Sequence, residues 1–171
     1  TNEIVRKISF TGSTPVGKLL VRQCADTMKR TSMELGGNAP FIVFDDCDID
    51  LAVKGAIASK YRNAGQTCVC TNRFLVQEGI YDAFLEKLSA AVEQLRVGDG
   101  FAEGAEIGPL ISSQAVKKVT DLVSDAVKHG ASVLPEEPSI SGQFFPPVIL
   151  TNVNHRMRVF NEEIFGPVSP I

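Results

Sequence analysis

Over the first 36 residues the apolar spacing changes twice. Residues 4–10 alternate around Ile4, Ile8 and Phe10, which predicts a strand. A Gly/Ser/Thr/Pro turn follows from Thr11 to Gly17. Thr14 can cap a helix that carries Pro15 at its first position and runs to about Thr27. Residues 31–35 read as a second strand, stopped by Gly36-Gly37. Strand, helix, strand at this length is a βαβ unit of a parallel sheet. Next, Phe41-Ile42-Val43-Phe44 is a short run with no polar member, the pattern of a strand buried on both faces. The acidic stretch 45–50 suits a helix N-terminus, and a helix is expected from Ile49 to about Tyr61. A strand at 74–76 and an amphipathic helix at 80–95, with Phe84, Leu88, Val92 and Leu95 on one face, come after it. A Gly-rich loop spans 98–108. The helix at 113–129 puts Val116, Val119, Leu122, Val123 and Ala126 on one face and ends at Gly130. Strands are expected at 133–134 and 148–150. The alternation of strands and helices predicts an α/β protein, and Gly36-Gly37 is the best local candidate for a domain boundary.

Composition narrows the function classes. With 171 residues, 44% apolar and 22% charged, the chain has the make-up of a folded domain. A net charge of −3 argues against nucleic acid or an anionic membrane as the main partner. No run approaches the roughly 20 apolar residues of a membrane span. The start lacks an initiator Met and the end stops amid strand-like residues, so both ends read as cuts through a longer protein. The four cysteines, Cys24, Cys47, Cys68 and Cys70, have neither zinc-site spacing nor the density of a disulfide framework. No metal site is expected, and a reducing compartment is the simpler reading.

Several segments could carry chemistry, and each has a plain structural alternative. Gly12-Ser13-Thr14-Pro15-Val16-Gly17-Lys18 lies between a strand and a helix, as a phosphate-binding turn does. It nearly matches a P-loop, but Leu19 stands where a Mg²⁺-binding hydroxyl belongs and Pro15 removes an N–H. A simple βα turn explains it about as well. Glu34 ends a strand, where ligands of open α/β sheets sit, yet its alternation with Met33 and Leu35 also suits a solvated side chain. Asn63-Ala64-Gly65-Gln66-Thr67-Cys68-Val69-Cys70 is the most telling segment. A cysteine entering a helix-like turn can be activated by nearby N–H groups, and Glu34 with Cys68 supplies the base and thiol that acyl-thiol chemistry needs. Glu162-Glu163-Ile164-Phe165-Gly166-Pro167 joins a carboxylate, an aromatic and a rigid turn; otherwise it is a loop before a strand.

Phe10-Thr11-Gly12-Ser13-Thr14, Met33-Glu34-Leu35-Gly36-Gly37-Asn38, Gly65-Gln66-Thr67-Cys68 and Glu163-Ile164-Phe165-Gly166-Pro167 together resemble, in order and separation, four signature segments of the aldehyde dehydrogenase superfamily. The residues around the thiol, Arg62 to Cys70 followed by Asn72-Arg73, and the stretch Gly36 to Asp46 resemble its succinate-semialdehyde dehydrogenase branch. The resemblance covers essentially the whole chain. It implies the end of a dinucleotide-binding Rossmann-type domain in residues 1–36, followed by most of an α/β catalytic domain in 37–171 that is incomplete at its C-terminus. It implies NAD or NADP as cofactor and a small aldehyde as substrate, with succinic semialdehyde going to succinate through a cysteine thiohemiacetal and thioester.

Roles carry over in the same way. Cys68 would be the nucleophile and Glu34 the general base. Gly12, Ser13 and Gly36 would line the cofactor, Glu163 would bond the nicotinamide ribose and Phe165 would pack beside the nicotinamide. The Cys68 N–H would form half of an oxyanion hole, and Arg62 would hold the remote carboxylate of the substrate. A Cys68–Cys70 disulfide would act as a reversible redox switch. An extended Cys-x-Cys spans about two residues of ~3.3 Å each, near the upper limit for a disulfide, so closure needs local rearrangement. Cys70 as a small buried residue is the competing reading. The resemblance also implies a homo-oligomer, dimer or tetramer, located in the cytoplasm or, in a eukaryote, the mitochondrial matrix. Surfaces facing absent partners, including Phe41 to Phe44 and Phe144-Phe145, are expected to be exposed. A P-loop NTPase and a non-catalytic module that retains the fold are the alternatives.

Overall fold

The computed structural model describes residues 2–135 and 139–171, and the chain divides into two compact units, Thr1–Gly37 and Asn38–Ile171. The first unit is β1 (Lys7–Gly12), α1 (Thr14–Ala25) and β2 (Arg30–Leu35), with β1 and β2 parallel and Gly12 in register with Leu35. α1 packs closely on β2 at Gly17, where an added Cβ would lie 2.6 Å from a Leu35 methyl. Ser13, rather than Thr14, takes the N-cap position of α1. The strand starts later than the alternation suggests. Asn2 closes a turn, its Oδ1 accepting from Ile4 N at 2.9 Å, and Ile4 stays 85% exposed. Among the described residues of this unit only Gly17 and Cys24 are buried.

The second unit holds β3 (Ala39–Val43), α2 (Ile49–Lys60), β4 (Thr71–Val76), α3 (Glu78–Glu93), α4 (Ser113–Lys128), β5 (Ser132–Leu134), β6 (Val148–Thr151), α5 (Arg158–Asn161) and β7 (Val168–Pro170). β3 and β4 pair in parallel. β6 is central in a three-stranded sheet, antiparallel to β5 and parallel to β7. Helix starts follow local chemistry. Asp48 Oδ1 accepts from the N–H groups of Asp50 and Leu51, both at 3.0 Å, and Ser112 Oγ accepts from Ala115 N at 3.1 Å. The buried stripes have helical spacing: Phe84, Leu88 and Val92 on α3, and Val119, Leu122 and Ala126 on α4. Full burial of each large apolar side chain contributes roughly 1.5–3 kcal/mol. Phe74 of β4 joins the layers, its ring 5.4 Å from Phe41 and 6.3 Å from Phe84.

Two expectations are corrected. β3 is not buried on both faces: Val43 is buried, but Ile42 and Phe44 are more than half exposed, so among the described residues one face is covered and the other is open. Phe144-Phe145 is no exposed patch, since Phe145 lies in the core and Phe144 is half-buried. No helix among the described residues is long and apolar enough to cross a membrane.

Candidate active site

The two groups of candidate residues fall in different units. In the first unit, Gly12 and Ser13 leave the C-terminal end of β1, and Glu34 and Gly36 lie at the matching end of β2, with Thr11 opposite Glu34 in register. Glu34 is exposed between half-buried Met33 and Leu35. Ser13 does not cap α1 with its side chain, so the first N–H groups of this twelve-residue helix have no side-chain acceptor from it. An uncapped helix start at the carboxyl ends of two parallel strands fits a dinucleotide phosphate, although Pro15 removes one donor.

In the second unit the thiol is presented by a strained loop. Tyr61 anchors its start: the buried phenol donates to Val148 O at 3.4 Å and accepts from Ser169 Oγ at 2.7 Å. Asn63, Ala64 and Gly65 then follow with φ of 53°, 55° and 72°, three consecutive left-handed residues. Such backbone costs of order 1–3 kcal/mol for each non-glycine residue and persists only when the surroundings hold it. Here Ala64 is buried. Asn63 Nδ2 donates to Gln66 O at 3.0 Å, and Gln66 Oε1 accepts from Ile111 N at 2.9 Å. A Cβ on Gly65 would lie 2.2 Å from Gly166 O, so the cysteine loop and the Gly166 turn touch backbone to backbone.

Cys68 is exposed at the tip of this loop, beside the exposed Val69. No helix follows it. Residues 67–70 make a single turn, with Cys70 N donating to Thr67 O at 3.3 Å, and β4 begins at Thr71. Cys70 is buried and its thiol donates to Gly65 O at 3.2 Å. Both thiols are free. Arg62 is exposed at the head of the loop.

Glu163 and Phe165 are brought to the same region by a buried polar clamp. Asn72, 1% exposed, donates to Asn38 Oδ1 at 2.7 Å and to Glu162 O at 2.9 Å, and accepts from Ile164 N at 3.1 Å. Arg73 donates to Asn38 O at 2.7 Å and sits over the Phe160 ring. Lys118 Nζ donates to Glu163 O at 2.7 Å. Phe165 has a φ of 56°, a second left-handed position next to the thiol loop.

Lys60 escaped the sequence reading. It is fully buried, and burial lowers its amine to about 8, partly offset by Cys70 and then Glu163. A signal was available: Val53, Ala56 and Lys60 are the buried positions of α2, so the lysine continues an apolar stripe. Among the described residues no cluster of three His, Cys, Asp or Glu could hold a metal.

An exposed thiol on a rigid loop, held against a carboxylate-bearing turn in an α/β unit, defines a candidate thiol-dependent site. The aldehyde dehydrogenase family model matches residues 1–171, and the chain belongs to that family. It is 58% identical over 170 residues to a 3-sulfolactaldehyde dehydrogenase of Pseudomonas putida, covering 98% of this chain and 35% of the relative. It is 54% identical over 173 residues to an NADP(+) succinate-semialdehyde dehydrogenase of Escherichia coli, covering 100% and 36%. The crystal structure of a succinate-semialdehyde dehydrogenase from Burkholderia pseudomallei superposes with a TM-score of 0.96 at 58% identity, over 99% of this chain and 36% of that one. The chain thus spans about a third of the length of these relatives. Family membership leaves the P-loop NTPase reading without support.

Proposed function

We propose that the protein containing this chain oxidises succinic semialdehyde to succinate with NAD⁺ or NADP⁺. The observation that carries the reading is the exposed Cys68 on a loop whose backbone is fixed from both sides. The Cys68 thiolate attacks the aldehyde carbon, forming a C–S bond, and the Cys68 N–H donates to the resulting oxyanion. When bound, the nicotinamide ring supplies the hydride acceptor. Loss of hydride from the thiohemiacetal carbon leaves a thioester on Cys68. Glu34 takes a proton from water, the water oxygen adds to the thioester, the C–S bond breaks and the acid departs with the thiolate restored. Gly12, Ser13 and Gly36 would hold the cofactor in the first unit, with Glu163 on its ribose and Phe165 beside its ring.

Arg62 would bind the far carboxylate with paired N–H donors. Support comes from its exposed place on the Cys68 loop and from the anionic group carried by the substrates named for two relatives, a sulfonate and a carboxylate. Cys68 and Cys70 would form a reversible disulfide in which two thiols and a peroxide give a disulfide and two waters. The buried Cys70 thiol must first leave Gly65 O, so closure requires the loop to open. Assembly as a dimer or tetramer follows the same family reading.

The test is steady-state kinetics of the full-length protein. Succinic semialdehyde should give a far higher kcat/KM than butanal, and Arg62→Ala should remove most of that preference by raising KM for the anionic aldehyde. Equal efficiency on the two aldehydes in the unmodified enzyme would defeat the substrate assignment.

A further inference from the structure

Gln66 stands two residues before Cys68, and its half-buried side chain is bonded at both ends of the amide. Nε2 donates to Asn63 O and to Pro109 O, each at 3.3 Å, and Oε1 accepts from Ile111 N at 2.9 Å. One amide thus links the left-handed turn before it to the segment that leads into α4. That segment is itself anchored. Leu110 is 1% exposed, its N–H donates to Gln143 O at 2.8 Å, and Ser112 caps α4. The main chain of Gln66 closes back on the same turn, its N–H donating to Asn63 O and its carbonyl accepting from Asn63 Nδ2, both at 3.0 Å. Asparagine tolerates left-handed backbone, but Ala64 holds it only with outside support. The residue type matters. Glutamine offers an acceptor oxygen and two N–H donors on one uncharged side chain, whereas a carboxylate keeps the acceptor alone and a thioether keeps only the shape. Cys68 is exposed in the turn that follows at once, closed by Cys70 N on Thr67 O at 3.3 Å.

We propose that Gln66 is a positioning residue for the nucleophile: its amide ties the 63–65 turn to the Pro109–Ile111 backbone and so aims the Cys68 thiol and N–H at the aldehyde. The inference rests on the dehydrogenase reading above, in which Cys68 is acylated. Gln66 touches neither aldehyde nor nucleotide in this role. It acts through the direction of the peptide that enters Cys68, so its loss slows the step that needs an aligned thiol and leaves the thiol itself in place.

The experiment compares full-length wild type, Gln66→Met and Gln66→Glu at neutral pH by three rates and affinities. These are the single-turnover burst of reduced nucleotide with succinic semialdehyde, the alkylation of Cys68 by iodoacetamide with loss of iodide, and the Kd for NAD⁺ and NADP⁺. Gln66→Met should slow the burst about 100-fold. Its alkylation rate should stay within about threefold of wild type, since that reaction needs a thiolate but no aligned aldehyde. Its nucleotide Kd should stay within about twofold, so the loss falls on the chemical step and not on binding. Gln66→Glu keeps an acceptor for Ile111 N and loses the donors to Pro109 O and Asn63 O; it should slow the burst about tenfold, and it carries the test if Gln66→Met folds poorly. A burst within about threefold of wild type in the folded variants overturns the role of Gln66 alone. So do parallel losses in burst, alkylation and nucleotide affinity with a lowered melting temperature, which would make Gln66 a folding residue only. Wild-type protein that binds nucleotide but gives no burst with the aldehyde overturns the dehydrogenase reading and this inference with it.

Discussion

The thiol loop at residues 62–70 and the βαβ unit at residues 7–35 present their candidate residues in opposite ways. The loop is made of conformations that resist folding: three left-handed residues, an unpaired buried lysine below, and glycine against glycine backbone at Gly65 and Gly166. It is therefore held by neighbours within its own unit, and Cys68 is exposed on a frame fixed where Gly65 meets the Gly166 backbone. The βαβ unit buries only Gly17 and Cys24 among its described residues, and Val16, Leu19 and Val21 of α1 are each more than 40% exposed. Its candidates, Gly12, Ser13, Glu34 and Gly36, follow from the regular geometry of parallel strand ends. Precise placement of a nucleophile requires stored strain and a supporting shell, whereas a phosphate-binding turn needs only backbone direction.

The comparison is broken most strongly at Gly65. Gly65→Ala adds a left-handed penalty to a collision with Gly166 O, and it should destabilise the second unit by about 3 kcal/mol while removing most activity. Denaturant melts of the full-length protein check this, and a loss under 1 kcal/mol would mean the loop can relax. Asn72→Ala should cost about 2 kcal/mol, since Ile164 N and the Asn38 amide lose buried partners. Here the readout is the shift in urea midpoint, with a raised KM for nucleotide as the functional counterpart.

Lys60 predicts a pH effect of known sign. The unfolded chain keeps the proton to about 10.5 and the folded chain loses it above about 8, so between these values the unfolded state binds more protons and stability rises with pH. Lys60→Met should lack that rise, measured by chemical denaturation at pH 7, 9 and 10. Ser13→Ala should give the smallest effect. An N-cap serine normally contributes about 1 kcal/mol, but Ser13 makes no side-chain cap bond, so the change should stay within about 0.5 kcal/mol.

The sequence was most legible where period and capping agree. The stripes of α3 and α4, the cap at Asp48 and the parallel pair flanking α1 all follow from local chemistry. Legibility failed where tertiary pairing decides. Phe41 to Phe44 looks like a doubly buried strand, yet among the described residues only the Val43 face of β3 is fully covered, which depends on the layer packed against the sheet. The short α5, the left-handed turn at 63–65 and the Asn38–Asn72 clamp join residues far apart in sequence, which periodicity does not report. Cys68, Glu163 and Phe165 were found through motif resemblance. The contact of Gly65 with Gly166, which places two of those motifs side by side, required three dimensions.

The central claim is that Cys68 is the thiol that becomes acylated. The direct measurement uses full-length Glu34→Gln, mixed with succinic semialdehyde and nucleotide, quenched in acid and mapped by peptide mass spectrometry. A succinyl mass on the peptide bearing Cys68, absent when Cys68 is replaced by serine, is the expected result. An adduct on another residue, or full turnover retained by Cys68→Ala, would contradict the account.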